Sequence, residues 1–346
     1  MRRPRIRDVA DRAGVSVSTV SVVLNEVQSA RVAPETRDRV RKAAQELGYA
    51  SNAIARSLRT QLSMTIGLVS DEIATTPFAG RMIQGAQDAA WRSGYLLLLV
   101  NTGGDESLER HAIEALRQRQ VDGVIYATMY HRHVTVPEQL NGGWVVFLDA
   151  IPMGSDQPCV VPDERGGAFA AVTELTRHGH RRIGFITDEL AVPAAVGRLN
   201  GYRRALYESG AQFDPNLVCA TRSDTTGGHQ AAARLLSLPE PPTALFCFND
   251  RMAMGAYRAA AERNLRIPQD ISIVGFDDQD LIAPELAPTL TTVALPHYAM
   301  GQWAARRLVN AIAEAKSPLA DTAVREQIHT MPCPLVRRNS VGPPSR

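Results

Sequence analysis

Residues 5–24 read Arg5-Ile6-Arg7-Asp8-Val9-Ala10-Asp11-Arg12-Ala13-Gly14-Val15-Ser16-Val17-Ser18-Thr19-Val20-Ser21-Val22-Val23-Leu24. Ile6, Val9, Ala10 and Ala13 recur at helical spacing, and Gly14, at ease with positive φ, ends that helix. Ser16 is placed to cap a second short helix from Val17 to about Leu24. Within it Val20, Val23 and Leu24 share a face that packs on the first helix, leaving Val17, Ser18, Ser21 and Val22 outward. Two short helices about a tight glycine turn have the pattern of a helix-turn-helix, whose second helix enters the major groove of DNA. A generic small helical bundle has the same core pattern, so periodicity alone leaves both readings open.

Further along, Pro34 suits the first turn of a third helix and Glu35 favours its positive end. Val40, Ala44 and Leu47 form its buried stripe, and Gly48 stops it. Next comes Ser51-Asn52-Ala53-Ile54-Ala55-Arg56-Ser57-Leu58-Arg59-Thr60. It is long enough for one or two helical turns and too short to be stable alone. Its arginines and its exposed leucine suit the minor groove, where an apolar wedge opens a base step. The alternative is a plain linker, with Leu58 packed on the larger part of the chain. Charge sharpens the DNA reading. Residues 1–60 carry 12 Lys and Arg against 6 Asp and Glu, whereas the remainder carries 26 against 30. A basic head on a mildly acidic body is suited to a polyanion.

These residues resemble the lac-repressor/galactose-repressor family. The likeness runs through Ile6–Ala10, Gly14–Ser21, Leu24-Asn25, Glu35-Thr36-Arg37, Leu47-Gly48-Tyr49 and Asn52–Leu58. It continues in Ile66-Gly67-Leu68-Val69, Val121–Ile125, Gly179–Ile183, Asn249–Gly255 and Val274–Asp278, and closes with Leu335–Ser340. The resemblance implies that Val17 and Ser18 face base edges, with Ser16, Thr19 and Ser21 near phosphates and Val22 and Asn25 on the same surface. Leu58 would be the minor-groove wedge, flanked by Ala55 and Arg56. Two departures stand out. Val22 occupies the place of the family's usual Arg, whose bidentate contact to guanine is worth about 1–3 kcal/mol of discrimination, and the stretch from Glu26 to Ala33 is about two residues longer than usual.

From Ser63 the pattern becomes apolar runs alternating with helix-length segments. The expected strands are 65–70, 95–100, 123–127 and 144–149, then 182–187, 217–220, 244–249 and 271–277. The expected helices are 80–93, 107–119, 164–177, 199–209, 228–236 and 251–263. Continuous apolar runs are those of parallel strands covered on both faces, so two doubly wound α/β lobes are expected. The resemblance assigns them the architecture of periplasmic sugar-binding proteins, with three crossings between lobes. The expected plan is a helix-turn-helix domain over 1–50, a hinge helix and linker over 51–62, and a ligand-binding and dimerisation body over 63–340. Lobe one would span about 63–162 with 293–325, lobe two about 163–292, and 341–346 would be a flexible tail.

Ligands of open α/β sheets sit beyond the carboxyl ends of the strands. Asp149, Asn249-Asp250 and Asp277-Asp278 fall at such ends, Arg198 in a loop before a helix, and Phe78 at a helix start. The resemblance matches Phe78, Asp149, Arg198, Asn249 and Asp277 to the family's ligand residues. That set offers donors and acceptors together and suits a polyhydroxy ligand. Val192 and Ala194, at the loop where a purine-binding member makes its contacts, argue against a purine. The bland alternatives are that Asn249 or Asp250 caps the helix beginning at 251 and that Asp278 stabilises a turn.

Other chemistry finds little support. Cys159, Cys219, Cys247 and Cys333 lie far apart with no ligand-spaced His, so neither zinc nor a disulfide framework is expected. His178, His180 and Arg181 lead into a strand rather than forming a metal cluster, and no cofactor is expected. No Ser-His-Asp or Cys-His grouping sits on recognisable elbow chemistry, which points away from an enzyme. No apolar run is long enough to span a membrane and the start lacks a secretion signal, so a cytoplasmic, nucleoid-associated protein is expected. The expected partners are double-stranded operator DNA, a carbohydrate-like effector and a second or further copy of the chain. The sequence therefore points to a dimeric, effector-controlled DNA-binding regulator, a repressor in type. The rival is a solute-binding protein of the periplasmic type without enzymatic activity, which would share the body and lack the head.

Overall fold

The computed structural model describes residues 4–24, 32–49, 57, 60–76, 79–315 and 327–345. The chain divides into two compact units, Met1–Met64 and Thr65–Arg346.

The first unit holds α1 (Ile6–Ala13), α2 (Val17–Leu24) and α3 (Pro34–Leu47). Asp8 folds back so that its carboxylate accepts from Arg5 N at 2.6 Å, satisfying a donor at the start of α1. Gly14 closes α1 at φ 64°, the left-handed geometry that lets the chain reverse into α2. Ser16 Oγ accepts from Thr19 N at 3.1 Å and so caps α2. Val9, Ala10, Ala13, Val20, Val23, Val40, Ala43 and Ala44 form the core, with Ile6, Leu24 and Leu47 packed against it. The expected stripe of α3 thus gains Ala43. An Arg12–Glu46 pair at 2.8 Å ties α1 to α3 and holds the Glu46 carboxyl below its usual range.

The second unit contains the two lobes. Lobe one is a six-stranded sheet of order β11-β5-β4-β3-β1-β2. Its strands are β1 (Thr65–Ser70), β2 (Leu96–Asn101), β3 (Gly123–Thr135), β4 (Val145–Met153), β5 (Cys159–Pro162) and β11 (Ile328–Met331). Every pairing in it is parallel. Helices α4 (Gly80–Arg92) and α5 (Glu106–Gln118) belong to it. Lobe two is a four-stranded parallel sheet of order β7-β6-β8-β9. Its strands are β6 (Ile183–Asp188), β7 (Val218–Thr221), β8 (Ala244–Cys247) and β9 (Ser272–Val274). Four helices accompany it: α6 (Glu164–Arg177), α7 (Pro193–Glu208), α8 (Thr225–Leu235) and α9 (Asp250–Ala261). The core strands are apolar on both faces, which is why they form parallel sheets between helices.

Four expectations need correction. Strands β3 and β4 do not end at Ala127 and Asp149. Both continue past a register shift in which Thr128–His131 bulge out between the pairs Ala127–Leu148 and Arg132–Ala150. Arg198 is not in a loop, because Pro193 opens α7 six residues earlier than expected and carries Arg198 into the helix. The return to lobe one does not begin at 293. The strand β10 (Thr292–Val293) pairs antiparallel with β12 (Leu335–Val336), and only α10 (His297–Glu314) and β11 belong to lobe one. Residues 341–345 are not a loose tail: His180 Nε2 lies 2.8 Å from Gly342 O, and Gly342 N donates to Ser272 Oγ at 3.1 Å. Those bonds place His180 in a buried structural network.

Candidate functional site

In the first unit, Ser16, Val17 and Ser18 are exposed, Thr19, Ser21 and Val22 half-buried, while Val20 and Val23 face the core. Val17 is a large apolar side chain left 42% exposed at the start of α2. Ser16 Oγ lies 2.7 Å from Ser18 Oγ and 2.9 Å from Thr19 Oγ1, so three hydroxyls cluster at the helix N-terminus. An N-terminus ringed with hydroxyls is suited to phosphate oxygens. Asn25, Ala55, Arg56 and Leu58 lie outside the described residues.

In the second unit a cavity of about 260 Å³ opens between the lobes, lined by Asp149, Arg198, Asn249 and Asp277 among others. Phe78 lies outside the described residues. Arg198 reaches the cavity from the second turn of α7, clamped between the rings of Phe248 and Phe276 at 4.2 and 3.7 Å from their centroids. Its Nε donates to Glu164 Oε2 at 2.7 Å, and its Nη1 donates to Phe248 O and lies 3.7 Å from Asp277 Oδ1. The guanidinium is thereby fixed in plane and position before any ligand arrives.

Asp277 follows β9 at φ 111°, a backbone region that L residues rarely adopt. It is held there by its own N–H, which donates to Val293 O at 2.8 Å, and by Gln279 Nε2, which donates to its Oδ2 at 2.9 Å. Burial pushes its carboxyl up to about 6, against the pull of Arg198. Asp250, fully buried, braces this corner: its Oδ2 accepts from Gln279 N at 2.7 Å and its Oδ1 from Thr292 Oγ1 at 2.6 Å. Asn249 takes two roles, because its Oδ1 caps α9 by accepting from Met252 N at 2.8 Å while the residue also lines the cavity. Asp278 turns away to pair with Arg338 at 2.7 Å. Asp149, at φ 58° and 2% exposed, sits opposite the β3 bulge, and burial raises its carboxyl well above the usual carboxylate range.

Sequence reasoning missed Glu164, His131, Phe248 and Arg251 on the same wall. His131 sits in the β3 bulge, which neither strand announces by itself. For Glu164 the sign was a carboxylate in the first turn of α6 that turns out only 5% exposed. Nothing local foretold the cation–π stacking of Phe248, which depends on two distant elements meeting. Among the described residues, no group of His, Cys, Asp and Glu is arranged to hold a metal, and no helix is long and apolar enough to cross a membrane.

A helix-turn-helix unit joined to a two-lobed α/β body with a polar cleft defines a DNA-binding regulator with an effector domain. Comparison with known proteins agrees. Residues 5–52 match the model described as bacterial regulatory proteins, lacI family, and residues 63–338 that of periplasmic binding proteins and the sugar binding domain of the LacI family. The transcriptional regulator GalR of Escherichia coli K12 is 37% identical over 98% of this chain and 96% of its own length. The lac repressor dimer bound to operator and the anti-inducer ONPF superposes with a TM-score of 0.75 at 26% identity, covering 99% of this chain and 100% of that one. The complex of the transcriptional regulator CelR with cellobiose gives 0.69 at 30% identity over 98% of this chain and 100% of that one. The chain belongs to the lacI family of bacterial regulatory proteins.

Proposed function

We propose that this protein is a repressor that binds a near-palindromic operator as a homodimer and changes its hold on DNA when a sugar or related polyhydroxy compound enters the cleft. The observation that carries this is the pairing, in one chain, of an exposed polar α2 face with a cleft of fixed donors and acceptors. Val17 and Ser18 read base edges; Ser16, Thr19 and Ser21 hold phosphates; Val22 and Asn25 complete the surface. Ala55, Arg56 and Leu58 form the hinge that enters the minor groove. Asp149, Arg198, Asn249, Asp277 and Phe78 hold the effector, whose binding shifts the lobes and thereby the spacing of the two hinges. A coupling of about 1–3 kcal/mol between the sites gives roughly 5- to 150-fold control. The testing experiment separates the units. A fragment of residues 65–346 keeps its fold and its effector affinity and loses operator binding; a fragment that still binds operator overturns the division of labour.

The dimer reading has its own support. The edge strand β2 exposes Leu96 at 52% and Leu99 at 39%, next to Trp91 at 73%. An open apolar sheet edge is an aggregation hazard unless a partner covers it, and the lac repressor structure similar to this chain is a dimer. In a two-fold interface each substitution enters twice. Leu96→Asp therefore yields monomers by analytical ultracentrifugation at concentrations where the parent chain is dimeric, and weakens operator binding with it. An unchanged dimer places the interface elsewhere.

Effector affinity depends on pH through Asp277. Its carboxyl, pushed up to about 6, is ionised above that pH and accepts ligand hydroxyls; below it, protonation removes acceptors. Calorimetric titration across the range from about pH 7.5 to 5 shows affinity falling roughly tenfold as the pH drops. Affinity that is flat or rises on acidification removes Asp277 from that role.

A further inference from the structure

The cavity walls carry four acidic side chains, Glu164, Asp188, Asp277 and Asp149, the last held toward its uncharged form by burial, against two guanidiniums, Arg198 and Arg251. Arg198 already spends Nε and Nη1 on the protein itself. An anionic ligand would meet an excess of like charge at close range, with the main cation committed elsewhere. Among the described residues, both ring nitrogens of His131 and Oδ1 of Asp149 are shielded from solvent and have no hydrogen-bond partner. Buried polar atoms are otherwise nearly always satisfied, and an orphan in a ligand cleft marks a place where a ligand supplies the bond.

The two orphans share one origin. The β3 bulge holds Thr128–His131, and Asp149 is the residue of β4 left opposite it, between the partners of Ala127 and Arg132. A bulge re-aims side chains that a regular strand would point elsewhere. Thr128 Oγ1 fixes the bulge to β4 by donating to Asp149 O at 2.7 Å. Burial pushes the His131 imidazole below its ordinary value and the Asp149 carboxyl above it, which favours the uncharged form of each. A neutral imidazole has one N–H donor and one lone pair. A carboxylic acid has one O–H donor and acceptor oxygens. Each matches the dual character of a hydroxyl group, and neither adds a positive charge for an anion.

We propose that His131 and Asp149 read the hydroxyl groups of an uncharged polyhydroxy effector, and that the cavity rejects the phosphorylated or carboxylated forms of the same compound. This rests on the cleft being the effector site. His131 is a specificity-determining contact of this chain. The rejection is a charge effect, whereas the reading is a hydrogen-bond effect, so each can be tested by itself.

The full chain is titrated by thermal shift and calorimetry with D-ribose, D-galactose and cellobiose, and with ribose 5-phosphate, galactose 1-phosphate and galacturonate. At about 10 mM ligand, at least one neutral sugar raises the melting temperature by several degrees while the acidic compounds move it by less than about one degree. With the neutral sugar that binds, His131→Ala raises the dissociation constant roughly ten- to hundredfold. His131→Asn, which keeps one donor and one acceptor, stays within about fivefold of the parent chain. Both variants melt at or above the parent chain without sugar, which excludes misfolding as the cause. An acidic sugar that binds as tightly as its neutral counterpart overturns the proposal while leaving the cleft as the effector site. His131→Ala that binds at parental strength also overturns it. Failure of every sugar, neutral and acidic, overturns both the proposal and the sugar-effector reading beneath it.

Discussion

Arg198→Leu is expected to abolish the effector response and to lower the melting temperature of the body by roughly 6–20 °C, the equivalent of about 3–5 kcal/mol. Arg198 pairs with Glu164 at 2.7 Å and lies 3.7 Å from Asp277, whose side chains are 5% and 6% exposed. Leucine restores some apolar packing between Phe248 and Phe276 but leaves two buried carboxylates without their counter-ion. Breaking a buried pair by removing one partner costs far more than replacing the whole pair. The sign of the pH dependence is fixed by the same loss. In the variant the Asp277 carboxyl, already pushed up to about 6 with Arg198 in place, loses that counter-ion, so its penalty is greatest at neutral pH, fades as pH falls through its folded value and is gone below the unfolded carboxylate range. Glu164→Gln added to Arg198→Leu is expected to recover part of the stability and none of the effector binding. Scanning calorimetry at pH 7.5 and at about pH 4.5 reads all of this. A variant that melts within about two degrees of the parent chain at neutral pH shows that the network is not under electrostatic load.

The second large effect lies in the head. Val20→Asp is expected to unfold the first unit and reduce operator affinity by at least about a hundredfold, leaving effector binding and the melting of the body unchanged. Val20 is fully buried among Val9, Val23, Val40 and Ala44. A core this small supplies only about 3–5 kcal/mol, and a buried unpaired carboxylate costs several. Val17→Asp is the control. Val17 is exposed, so that variant keeps its helical circular dichroism and loses DNA affinity through the lost base-edge contact and a charge set against the DNA. Equal loss of helicity in both would mean that Val17 is a packing residue. Retained operator binding by Val20→Asp would mean that the head is not the DNA-binding unit.

The sequence made some of this legible because the signals are local. Gly14, Ser16, Pro34 and Gly48 each act within a few residues, and the structure places four boundaries of the three helices where they punctuate the chain. The strands were legible for the same reason: an apolar run has a length and a flank. The site was legible only in part. Asn249 and Asp277 could be named because residues beyond strand ends stand over the cleft in this topology, whereas Asp149 lies inside β4 opposite the bulge, and the structure gathers all three with Arg198. What escaped was set by distance. The β3 bulge arises from a mismatch between two strands and has no signature in either one alone. The clamp on Arg198 joins α6, α7 and the segments just after β8 and β9, a meeting that no single window contains. The C-terminal residues read as a tail because Gly342-Pro343-Pro344-Ser345 carries no helix or strand periodicity, yet the bonds of Gly342 to His180 and Ser272 make them part of lobe two.

Coupling of sequence-specific DNA binding to the contents of the cleft, within one chain, is the property on which everything else depends. Its most direct test is fluorescence anisotropy of the full chain on a near-palindromic duplex obtained by selection from random DNA, with and without a saturating neutral sugar. Binding to the selected duplex is expected to be at least about a thousandfold tighter than to a scrambled one, and to shift by roughly 5- to 150-fold when the sugar is present. Equal affinity for selected and scrambled duplexes, or an affinity that the bound sugar leaves untouched, would contradict it.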